Sequence, residues 1–165
     1  MILMKQIFFC IGIFTALAMS RLIPHPPNFT SLLALSFYIP VFMGLRYLPV
    51  LILSFAITDF IIGYHSGTHW TWGSVLLIGL ISSFFTKNFY SRILGSFFGA
   101  CIFFLVTNFG VWLSGMYGFS LSGLYLSYFM AIPFFTYSVI STLFFSIIIE
   151  IGHKILVNKF NFKKA

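Results

Sequence analysis

The chain has 165 residues, 60% of them hydrophobic, 21% aromatic and only 7% charged, with a mean hydropathy of +1.06. A soluble domain carries about a quarter charged residues, so this chain lacks the polar surface to cover a globule in water and reads as one integral membrane domain, 1–165, with almost no extramembrane mass. The net charge of +7 does not indicate nucleic acid: the basic residues stand singly or in pairs between apolar runs, apart from a basic tail at 154–165, as topology signals do.

Apolar runs at about 2–23, 31–45, 48–63, 74–86, 93–113 and 124–153 predict an all-α integral membrane protein, a compact bundle of about six transmembrane helices. A span needs roughly 20 residues, so the second, third and fourth runs are short. They are expected to recruit flanking residues, to tilt into neighbours or to cross incompletely. The first run carries Gly12, Ala16 and Ser20 at every fourth position, a small-residue face that lets another helix approach closely, whether internal or from a partner protein. Lys5, a short apolar core and "ALAMS" at 16–20 also match a signal peptide with an Ala-x-Ala cleavage site. Cleavage there would leave Arg21 and the following loop as a free N-terminus.

That loop, "RLIPHPPNFT" from Arg21, is stiffened by Pro24, Pro26 and Pro27, which lower its conformational entropy. The third run contains Asp59, well inside apolar sequence. A carboxylate at such depth needs a partner or a cavity, and Arg21 is the cation at the same end. An Arg21–Asp59 pair is expected, as a structural tie, a ligand-binding pair, or both. Next comes "YHSGTHWTWG", with His65, His69, Trp70 and Trp72. His65 and His69 are spaced for one helix face, but Ser66, Gly67 and Thr68 read as loop, and no metal is expected.

In the fifth run Ser91, Gly95 and Gly99 form a second small-residue seam, expected to serve internal packing. Its far end, "TNFGVWLSG", sets Asn108 and Trp112 at i, i+4, either for interhelical bonding or to present an amide and an indole together to a ligand. The last run is too long for one span and contains Pro133, which predicts a kink or a short segment before the true span. Glu150 near its end is expected to pair with Lys154 at i+4. Cys10 and Cys101 lie in apolar runs and read as small buried hydrophobes.

With the N-terminus inside, Lys5, Arg46, Lys87, Arg92, Lys154, Lys159, Lys163 and Lys164 fall on the cytoplasmic side and Arg21 alone outside. That bias places both termini in the cytoplasm. All three tryptophans then fall on the outer face, beside the unusual polar residues. They serve as bilayer anchors, as parts of a site, or as both. No HExxH, no second intramembrane aspartate, no Gly-rich nucleotide loop and no nucleophile turn is visible, so no enzyme and no cofactor is expected. The absence of a transporter-scale internal repeat argues against a complete secondary transporter.

"RLIPHPPNFTSLLALSFY", "AITDFIIGYHSG", "FFLVTNFGVWLSGMY" and "AIPFF" together resemble a group of uncharacterised bacterial inner-membrane proteins across nearly the whole chain. That group resembles the substrate-binding S components of energy-coupling-factor (ECF) transporters. The resemblance implies a multi-pass inner-membrane subunit that holds a vitamin-like substrate near the outer face under loop lids. A transmembrane coupling subunit and ATPases would come from other chains. The small-residue face that docks such a subunit maps onto Gly12, Ala16 and Ser20, here Gly-xxx-Ala-xxx-Ser rather than an alanine pair.

The expected function is therefore capture of a small metabolite for uptake. Arg21, Asn28, Asp59, His65 and Asn108 would supply polar contacts, and Trp70 and Trp112 flat walls suited to a ring-containing ligand. The alternative is a structural or assembly protein that acts through helix–helix contacts with other membrane proteins, and a third is a small intramembrane enzyme. Besides protein partners, membrane lipid surrounds the chain.

Overall fold

A computed structural model describes residues 2–160, with side chains over 7–157; Lys163 and Lys164 of the basic tail lie outside the described residues. The described residues form seven α-helices and two short 3₁₀ turns, with no strand among them. Helix α1 is Ile2–Leu22, α2 Leu32–Met43, α3 Leu48–Ile62, α4 Thr68–Ile81, α5 Phe89–Leu113, α6 Leu121–Phe129 and α7 Ile132–Phe160. We call upper the end at which α1 and α3 finish and α4 begins.

Among the described residues, three helical stretches are long and apolar enough to cross a membrane: Leu45–Ile62, Phe89–Leu113 and Ile132–Val157. The pattern of burial fits that solvent. Large apolar side chains point outward, Phe60, Phe84 and Leu121 among them, while Ser36, Ser74, Ser96, Thr142 and Ser146 are fully buried. A water-soluble fold would invert this arrangement. Most of the buried serine and threonine hydroxyls donate to a carbonyl of their own helix, as Ser36 does to Leu32 O at 2.6 Å and Thr142 to Ser138 O at 2.6 Å, so these small residues pack inside with their hydroxyls satisfied.

The shortest of the core helices occupies the centre. From Leu32 to Pro40 every residue of α2 but Leu35 is buried, and α2 packs against α1, α3, α4, α5 and α7. One apolar cluster joins it to α1, α3 and α4 through Leu17, Leu51, Phe55 and Val75, and a second joins it to α4 and α5 through Phe37, Ile78 and Ala100. Twelve residues rise only about 18 Å, short of a roughly 30 Å hydrocarbon layer. Enclosure by protein lets the backbone end early, since non-helical chain at depth is tolerated where protein surrounds it. Gly44, at φ +95, ends α2 with its N–H on Pro40 O.

Several expected boundaries move. Helix α4 starts at Thr68, six residues before the expected 74, so "THWTWG" is helical, and α5 starts at Phe89 because the Asn88 side chain caps it by accepting from Ser91 N–H at 2.9 Å. The last run breaks at Met130–Ala131, leaving α6 as a nine-residue segment tied to α5 by Tyr128 O–H donating to Leu105 O at 2.9 Å. Pro133 does not kink a helix; it sits in the first turn of α7, where its missing N–H has no partner to lose.

Glu150 is also corrected. Its partner is not Lys154 but Arg92 of α5, which grips both carboxylate oxygens, Nε to Oε1 at 2.5 Å and Nη2 to Oε2 at 2.7 Å. A rigid guanidinium fork from a neighbouring helix matches a carboxylate at two points, whereas an exposed lysine one turn along gains little.

Candidate functional site

Six helices and the proline loop converge at the upper end around a cavity of about 340 Å³. Its polar rim is Arg21, His25, Asn28, Thr30, Asp59, His65, Thr71 and Ser138; Leu32, Leu33, Phe55, Ile62 and Phe103 form its apolar walls.

The loop's shape follows from its sequence. Phe29 N–H closes a turn onto Pro26 O at 3.0 Å, with Pro27 and Asn28 as its central residues. Proline presets the first, and asparagine tolerates the positive φ of the second, here +62. The turn docks on α7: Ser141 O–H donates to Asn28 O at 3.2 Å, and the Phe29 ring lies 6.0 and 6.1 Å from those of Phe144 and Phe145. His25 rests against two carbonyls, Pro26 O at 2.7 Å and Arg21 O at 3.3 Å, closing the loop back onto the end of α1.

Arg21 and Asp59 meet directly, Nη2 to Oδ1 at 2.5 Å, with side chains 14% and 6% exposed. The guanidinium also donates to Thr58 Oγ1 and to Phe55 O, and its carbon lies 4.5 Å from the centre of the Phe55 ring. The other carboxylate oxygen accepts from Trp72 Nε1–H at 2.6 Å. Asp59 is thus held from two sides, by an arginine from α1 and an indole from α4.

His65 stands just before α4, its Nδ1 accepting from Gly67 N–H at 3.1 Å and its backbone N–H donating to Thr68 Oγ1 at 3.0 Å. Neutral imidazole in this setting carries its proton on Nε2. Thr71 and Ser138 give their protons to Thr68 O and Phe134 O, so each keeps only acceptor capacity for a ligand. Among the described residues no three His, Cys, Asp or Glu side chains converge on a metal position.

Of the seven residues expected to line a ligand site, Arg21, Asn28, Asp59 and His65 border this cavity; Trp70, Asn108 and Trp112 do not. Trp70 lies against Gly110 of α5 so closely that a Cβ there would overlap the indole, and its ring meets Phe109 edge-on at 6.0 Å. Asn108 donates to Phe104 O one turn back at 2.7 Å. Trp112 donates to Ser120 O at 3.2 Å, bracing the turn before α6. Trp72, which was not among the residues expected at the site, holds the acid; a carboxylate at such depth needs more donors than one arginine supplies.

The small-residue face divides. Ser20 is used internally, its Oγ 2.7 Å from Ser31 Oγ at the entry to α2. Gly12 and Ala16 face outward onto shallow apolar grooves beside α2 and α7. Gly95 is filled from within by Phe37 and Phe85, and Gly99 by Ile78.

No curated protein and no solved structure matches the chain. A family model, described as a family of unknown function (DUF6580), matches residues 2–164. The chain belongs to the DUF6580 family.

Proposed function

We propose that this protein is a substrate-capture membrane subunit, similar in role to the S component of an ECF transporter, which binds a small vitamin-like metabolite at its outer face for uptake. The cavity at the upper end carries this reading. About 340 Å³ is the lower end of the range for small-molecule sites, and apolar walls with a few convergent polar groups are their usual lining. Asp59 and Arg21 are fixed before any ligand arrives, so little ordering remains to be done on binding.

Helices α1 to α5 and α7 would make six crossings of a bacterial inner membrane, with α6 at the outer face and both termini in the cytoplasm. The eight-to-one distribution of Lys and Arg supports that orientation. The coupling subunit and the ATPases would be other chains, and no chemistry is assigned to this one. Labelling of single cysteines placed at Ser66 and Lys163 in intact cells is expected to modify only Ser66→Cys; modification of Lys163→Cys from outside refutes the orientation.

A native mass spectrum of gently purified protein is expected to carry one small-molecule adduct that Asp59→Asn weakens. A spectrum without it, for protein purified from cells in several media, removes the capture reading. The second reading, an assembly protein, then takes its place. It is favoured by Gly12 and Ala16, where added side-chain atoms at Gly12 would meet nothing within 4 Å.

A further inference from the structure

The largest cleft among those described lies outside the cavity. It runs between α3 and α4, with a volume of about 750 Å³, and is walled by apolar side chains, Ile52, Leu53 and Ala56 on one side and Trp72, Leu76 and Leu80 on the other. From Trp72 to Leu80 is eight residues of helix, so the cleft descends about 12 Å toward the lower end.

Its upper limit is the residue that holds the acid. Trp72 borders the cleft with its ring and donates its N–H to Asp59 at 2.6 Å, and Asp59 borders the cavity. One hydrogen-bonded pair therefore stands between a polar cavity and an apolar cleft. The next residue, Gly73, has open space where a Cβ would lie, so the backbone beside the indole is not packed against a neighbour. We infer that the captured molecule is amphipathic, with a hydrogen-bonding head in the cavity and an alkyl or isoprenoid tail that passes Trp72 into the α3–α4 cleft.

The head is specified further. Arg21 and Asp59 neutralise each other, so an uncharged head avoids stripping water from a charge that finds no counter-charge. A hydroxyl or amide N–H on the head replaces the indole at Asp59 Oδ2 as the ring turns aside, and the carboxylate never loses its donor. The tail supplies affinity: each methylene moved from water into the cleft strengthens binding roughly fourfold. Bulk bilayer lipid would fill the cleft without regard to Asp59, which separates the two cases.

This inference rests on the capture reading, and its test is separable from that reading. The probes are 1-O-alkylglycerols from butyl to dodecyl, with glycerol as head alone and the matching alkanes as tail alone, added to protein held in amphipol. Thermal stabilisation is expected at concentrations that fall severalfold per added methylene until the cleft is full, with no shift from glycerol or alkane. Leu76→Trp and Leu53→Trp, which plug the cleft below Trp72 at side chains that point out of the core, are expected to abolish the chain-length dependence while leaving the unliganded melting temperature in place; Asp59→Asn is expected to abolish discrimination between alkylglycerol and alkane. A flat series, no shift from any alkylglycerol, or alkanes as effective as alkylglycerols overturns the inference. Should the native adduct persist beside a flat series, the amphipathic class alone falls; should the adduct also be absent, the capture reading falls with it.

Discussion

Asp59 occupies an electrostatically poor position, which explains the company it keeps. It lies in the last turn of α3, which Gly63 ends at φ +114 with its N–H on Asp59 O at 2.7 Å. The negative end of the helix dipole is there, and it disfavours a carboxylate. Arg21 lies in the last turn of α1, where the same effect favours a cation. The pair thus relieves one helix end and exploits another. Removing either partner strands a charge in a largely buried place, at a cost of about 3–5 kcal/mol. Arg21→Ala and Asp59→Ala are each expected to lower the melting temperature strongly, and the double variant to lose less than the sum; strict additivity would remove the coupling. Trp72→Phe keeps the ring and deletes the donor, with an expected loss of about 1.5–3 kcal/mol and a shift of Tm in the same direction. The ion pair was legible in the sequence because one acid and one cation fell at the same end. The indole was not: three tryptophans share that end, and an interfacial belt accounts for any of them equally well.

At the scale of the helix, sequence shows which residues share a face but not where the face points. Asn108 and Trp112 do lie one turn apart on α5, yet both bond to backbone and neither reaches the cavity. In a soluble helix the polar side declares itself; in a helix apolar all round, only neighbours fix the rotation. Glycines are the better guide, because a missing side chain marks where another residue must fit. At Gly95 a Cβ would lie 2.6 Å from two atoms of the Phe37 ring and 2.6 Å from Phe85 Cβ, and Phe37 is 1% exposed, so it has nowhere to move. Gly95→Ala is expected to destabilise by about 1–3 kcal/mol through overpacking. Gly12→Ala meets nothing within 4 Å and removes a helix-interior glycine, for an expected gain of up to about 1 kcal/mol. Thermal melts of the two purified variants decide it: equal effects would mean that the two seams are used alike. The seams look the same in sequence, since spacing records the small residues and not their occupants.

Across the whole molecule the same device recurs at both ends. The chain has two acidic residues, and each is gripped by an arginine from another helix: Asp59 by Arg21 between α3 and α1 at the upper end, Glu150 by Arg92 between α7 and α5 at the lower. With α2 between them, the pairs tie the peripheral helices into two couples around a central one. The lower pair was hidden from sequence because Arg92 is 58 positions from Glu150, while Lys154 offers itself one turn away; a local rule chose the near lysine. The consequence is measurable. Both oxygens of Glu150 are occupied by Arg92, so removing the guanidinium takes away the donors of both at once. Arg92→Ala is therefore expected to cost about 3–5 kcal/mol, whereas Lys154→Ala stays within about 0.5 kcal/mol of the parent. The two ion pairs share no residue and sit at opposite ends of the bundle, so the losses in Arg21→Ala and Arg92→Ala should add to within about 0.5 kcal/mol. Reversible unfolding in mixed micelles reads all of these values. A Lys154→Ala loss as large as that of Arg92→Ala would restore the local pair, and a strong departure from additivity would mean that α2 transmits strain from one end to the other.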